Sequence, residues 1–124
     1  MKKLKTILLM VFSLVLIFSS CIDSVNNKLI IGKWQASQWL GDANTTARNA
    51  EGTSFQFDEK GKYLYDYNGS LENGSYKVEN NMLFTTPEGM QEIMVKIAKL
   101  TSDSLVFEMN RSGTAETLIL LKSK

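Results

Sequence analysis

From residue 30 onward the chain falls into short apolar runs separated by turn residues, and within the runs apolar and polar positions mostly alternate. A period of two is the mark of strands with one covered face. Lys33 to Leu40 is the first predicted strand, followed by a polar loop from Gly41 to Gly52. Thr53 to Phe57 is the second, with Phe55 and Phe57 sharing a face, and "DEKG" at Asp58 to Gly61 is a hairpin turn with glycine where φ is positive. Tyr63 to Tyr67 alternates again and puts Tyr63, Tyr65 and Tyr67 on one face, until Asn68-Gly69 breaks the run. Ser75 to Glu79, the tight turn Asn80-Asn81 and Met82 to Thr86 form the next hairpin, and the lone proline, Pro87, falls between strands. Met90 to Leu100 can be drawn as an amphipathic helix, but β-branched residues at Ile93, Val95 and Ile97 favour a strand closed by "TSD". Leu105 to Met109 and Glu116 to Leu121 make the last hairpin, around "NRSG".

About eight strands joined in order by short turns describe an all-β, antiparallel up-and-down meander. Closing it into a barrel hides both edges, with an open sandwich as the alternative.

The first thirty residues read differently. Lys2, Lys3 and Lys5 precede an apolar run, Ile7 to Phe18, broken only by Ser13, which is the pattern of a bacterial export signal over residues 1–20. The run is shorter than the roughly 18 to 20 apolar residues a spanning helix needs. Ser19 and Ser20 lead into Cys21, the single cysteine of the chain. This resembles the lipobox of bacterial lipoproteins, and the resemblance implies that Cys21 is acylated and begins the mature chain. Several acyl chains, at about 0.8 kcal/mol per buried CH₂, hold such a protein firmly on a membrane. Residues 21–29 then read as lipidated cysteine and tether, and residues 30–124 as the folded domain, about the size of one ordinary domain. The expected location is the cell envelope, on the outer membrane.

Composition excludes several activities. Without the three signal lysines the mature part carries a net charge of about −2 with both signs scattered, so no basic surface marks a nucleic-acid partner. The chain has no histidine, and its one cysteine is committed to lipid, which leaves no usual ligand set for zinc or copper and no base for a nucleophilic serine. The acids Asp58, Glu59, Asp66, Glu72 and Glu92 read as solvated surface charge, and Lys33, Lys60, Lys62 and Lys77 as exposed. No enzyme and no cofactor are expected.

Four stretches carry a family resemblance: Ile31-Gly32-Lys33-Trp34, "FQFDEKGKY" from Phe55 to Tyr63, "NGSYKVENNMLF" from Asn73 to Phe84, and "KLTSDSLVFEM" from Lys99 to Met109. In that order they resemble the small lipocalin-like lipoprotein domains of Bacteroidota-type bacteria. The resemblance implies a lipocalin-like barrel with Gly32 as a bend and Trp34 as a structural plug at its base. Larger lipocalins cover that tryptophan with an arginine from the final strand, and no arginine stands there in this chain.

Phe55, Phe57, Tyr63, Tyr65 and Tyr67 occupy two strands joined by one turn, so they face inward or outward as a set. They form either plain core or the wall of a small-ligand pocket. Trp39 has the opposite parity from Trp34 and precedes the long loop, which suggests a contact at the mouth or surface. Two function classes follow. One is a tethered module binding a small hydrophobic ligand; the other is an interaction protein with a filled barrel that meets an envelope protein or polysaccharide.

Overall fold

The computed structural model describes residues 25–42, 46–111 and 113–124. The predicted signal and Cys21 lie outside the described residues. The strands are β1 (Gly32–Leu40), β2 (Thr53–Phe57), β3 (Lys62–Tyr67), β4 (Ser70–Glu79), β5 (Met82–Pro87), β6 (Ile93–Leu100), β7 (Ser104–Arg111) and β8 (Thr114–Lys122). Each pairs antiparallel with its neighbour in sequence, and β8 returns to β1, so the sheet is a closed eight-stranded barrel without an open edge. Met90 to Leu100 contains a strand and no helix.

The turns are local consequences of sequence. Asn68-Gly69 and Asn80-Asn81 are two-residue links with positive φ at both positions, the geometry that matches the twist of a hairpin. Asp58 Oδ1 accepts the backbone N–H groups of Lys60 and Lys62, at 2.9 and 2.8 Å, and fixes the β2–β3 turn. Asn68-Gly69 therefore does not end the sheet: β4 begins at Ser70 rather than Ser75, and its polar first half pairs fully with β3.

Inside the barrel, Trp34, Phe57, Val78, Leu83, Leu105, Phe107, Leu118 and Leu120 are all buried. Each fully buried aliphatic or aromatic side chain of this kind contributes roughly 1.5–3 kcal/mol. The core is densest at the end that holds the start of β1, the Asp58–Gly61 and Asn80-Asn81 turns and the C-terminus.

A short helix, α1 (residues 25–29), lies against this end. Asn27 Nδ2 donates to the Val78 carbonyl at 3.0 Å, and Ile30, directly after the helix, is wholly buried. The tether expected up to Leu29 thus has its last five residues folded onto the barrel, because Ile30 needs cover and the asparagines supply hydrogen bonds to the turns.

Trp34 seals this base. Its Nε1–H donates to the Ile30 carbonyl at 2.8 Å, and Lys122 Nζ sits 4.5 Å from its ring centroid while donating to the Ile31 carbonyl. A lysine from the final strand thus covers the indole where no arginine stands. Gly32, at φ 131°, adopts a conformation closed to other residues, and a Cβ there would collide with the Lys122 side chain.

Candidate functional site

The opposite end is built from the same alternation but is less completely packed. On β2 and β3 the register pairs Phe57 with Tyr63, Phe55 with Tyr65 and Thr53 with Tyr67. All five predicted rings face inward as one set. They form a ladder along the barrel axis: Phe57 to Phe55 at 5.8 Å, Phe55 to Tyr65 at 4.5 Å and Tyr65 to Tyr67 at 6.5 Å, each pair stacked. Phe107 on β7 meets Phe55 edge-on at 5.7 Å.

Burial divides this ladder. Phe57 and Tyr63 are 1% and 3% exposed, whereas Phe55, Tyr65 and Tyr67 are half-buried. The lower rungs are core and the upper rungs are partly exposed.

Trp39 stands across from the upper rungs, with its ring 6.1 Å from Tyr67 in an edge-to-face contact. Of the two positions expected, mouth or surface, the surface is ruled out, since Trp39 is 3% exposed. The cause is a β-bulge: the β1–β8 register slips between Ala36 and Gln38, so the extra residue turns Trp39 to the same side as Trp34 despite their odd spacing. The 46–51 segment then packs beside it, with Thr46 bridging Leu40 and the Ala47 N–H donating to the Trp39 carbonyl at 2.9 Å.

The polar groups of this end were not legible as a site. Glu116 of β8 is buried; it accepts from Trp39 Nε1 at 3.3 Å and lies 3.9 Å from Arg48 Nε, whose guanidinium carbon is 5.4 Å from the Trp39 ring centroid. Glu72 also corrects a prediction. It is not a solvated surface acid but a half-buried carboxylate on the inner face of β4, opposite Tyr65, and it accepts the Tyr63 hydroxyl at 3.0 Å. Tyr63 stands opposite Gly74, where a Cβ would lie 2.0 Å from the Thr86 carbonyl oxygen, so the glycine is what allows β4 and β5 to approach there. The Tyr63 phenol is held far above its ordinary range, first by burial and then by the Glu72 carboxylate. Thr53, fully buried beside Tyr67, has a hydroxyl with no hydrogen-bond partner among the described residues. Parity with their strand neighbours was the available signal, as Glu72 shares a face with Gly74 and Tyr76, and Glu116 with Leu118 and Leu120.

Surface cavities among the described residues lie on the outer wall, beside the 46–51 segment and at the base. One of about 650 Å³ runs over the outside of β2 to β5 past Gln56, Leu64, Asn73 and Thr86. Another of about 560 Å³ lies between β1 and the 46–51 segment, and a third of about 340 Å³ lies beside α1. Among the described residues no group of three or more acids and cysteines converges as a metal site.

A closed eight-stranded meander with one end plugged by tryptophan and the other lined by half-buried rings defines a small barrel of the lipocalin type. The chain belongs to the lipocalin-like domain family, whose pattern it matches over residues 30–107. Among solved structures it is similar to a lipocalin-like protein from Bacteroides uniformis, with 17% identity, TM-score 0.59, and coverage of 77% of this chain and 99% of that one. It is likewise similar to an uncharacterized protein from Bacteroides eggerthii, with 15% identity, TM-score 0.61, and coverage of 76% and 99%. At such identities the likeness is one of fold. No curated protein matches the chain.

Proposed function

We propose that this protein is an envelope lipoprotein, tethered through acylated Cys21, whose barrel holds a small hydrophobic molecule at its open end against Phe55, Tyr65 and Tyr67. The reading is of a binding protein and not an enzyme. The observation that carries it is the split in the ring ladder, sealed at Phe57 and Tyr63 and accessible above. The buried, unpartnered Thr53 hydroxyl adds a polar group that a bound molecule would satisfy.

A second reading, an interaction protein, draws on a different feature. Leu64, Leu71, Met90, Ile93 and Met94 are exposed on β3, β4, β6 and the link before β6, and exposed apolar side chains in such number suit a protein partner.

The test is thermal melting paired with fluorescence titration of an apolar dye into the soluble domain and its Tyr65→Ala variant. Saturable binding by wild type, lost in a variant that still melts cooperatively and is less stable by at most about 3 kcal/mol, supports the pocket. No binding by wild type puts the interaction reading ahead. The tether is tested separately: Cys21→Ser should move the protein out of the membrane fraction.

A further inference from the structure

The lining of the open end also says what kind of head group a bound molecule carries. Resting on the binding reading above, we infer that the preferred ligand is an amphiphilic organic cation, with an ammonium group beside Glu72 and an apolar body along the Phe55, Tyr65 and Tyr67 rings.

Three observations converge. Glu72 faces the interior directly across from Tyr65, whose ring stacks at 4.5 Å on Phe55. A cation over such faces is attracted by the ring quadrupole, and more strongly as water is excluded. Tyr63 donates to one Glu72 oxygen, Oε2, which holds the carboxylate toward the interior and leaves Oε1 as an acceptor for a second donor. The Thr53 hydroxyl, buried on the same inner face beside Tyr67, is a further polar atom without a partner among the described residues.

Charge points the same way. Among the described residues, the acids facing inward at this end are Glu72 and Glu116, with Asp42, Glu51 and Asp66 around its rim, and Arg48 is already engaged with Glu116 and the Trp39 face. Lys122, the other cation packed against a tryptophan, sits at the opposite end over Trp34. An anionic head would meet uncompensated Glu72, whereas a cationic head completes it.

The experiment compares three probes of equal chain length, decylammonium, decanol and decanoate, each titrated at pH 7 into the soluble domain. Decylammonium should bind at least about tenfold more tightly than decanoate, with decanol between them. Glu72→Gln should remove the preference while leaving decanol binding in place. Glu72→Asp, which keeps the charge on a shorter arm, should retain part of the preference and guards against a glutamine variant that fails to fold. Equal binding of the three probes, or a preference that survives Glu72→Gln, overturns the inference and leaves the binding reading intact. Failure of all three to bind wild type overturns both.

Discussion

The two ends of the barrel each present a tryptophan with a cation over its ring, and they use the arrangement differently. At the base, the Trp34 indole donates to a backbone carbonyl and Lys122 is itself pinned to the Ile31 carbonyl, so both hydrogen bonds go to the main chain. At the mouth, Trp39 donates to the Glu116 side chain and its cation comes from Arg48 on a connecting segment, with a side chain 35% exposed. Backbone partners cannot move without unfolding, whereas side-chain partners can exchange with a ligand. The comparison teaches that one device is anchored to the main chain at one end and to side chains at the other, as the proposed binding at that end requires.

The largest effect should come from breaking the base. Trp34→Ala should cost about 3–5 kcal/mol, enough to abolish or nearly abolish a cooperative thermal melt in a domain of this size. Gly74→Ala comes next. Its Cβ would collide with the Thr86 carbonyl, so β4 and β5 must separate just where the sealed rungs begin, at a cost of about 1–3 kcal/mol read as a lower melting temperature.

A smaller effect reads the sealed end by pH. Burial, aided by Glu72 for Tyr63 and by Asp58 for Tyr76, raises both phenols above their ordinary value of 10.0. A raised pKa stabilises the fold below the unfolded value and that contribution is lost as pH climbs past about 10. Lys122 acts with opposite sign, because burial lowers its pKa and its contribution therefore improves toward high pH. The net expectation is that Tyr63→Phe lowers stability at neutral pH but flattens its fall above pH 10, as measured by melting temperature across an alkaline series.

Much of this architecture was readable because alternation survives in nearly every strand. The eight strands, the shared face of the five rings and the turns at Gly61 and Asn80-Asn81 follow from period and turn chemistry alone, while the inward direction of that face comes from closure of the sheet. What escaped did so for physical reasons. The bulge after Ala36 adds one residue to β1 and reverses parity, so Trp39 could not be placed by counting. A similar slip between Ile97 and Lys99 turns Leu100 back toward the core. The first half of β4, "SLENG", has weak strand composition and is held by the Asn68-Gly69 turn and its partner strand, which hid the inward direction of Glu72. Lys122 went unnoticed because an arginine was the expected cover for Trp34. Glu116 and Arg48 meet only through long-range closure, 68 positions apart, which no local pattern encodes.

The division between a fixed base and a receptive mouth is tested most directly by the two indole N–H signals in a ¹H–¹⁵N correlation spectrum, followed while decylammonium is added to the ¹⁵N-labelled domain. Trp39 and Trp34 are the two tryptophans of the chain, so each reports one end. The account predicts a saturable shift of the Trp39 Nε1–H signal with the Trp34 signal unmoved. Equal movement of both signals, or movement of the Trp34 signal alone, would contradict it.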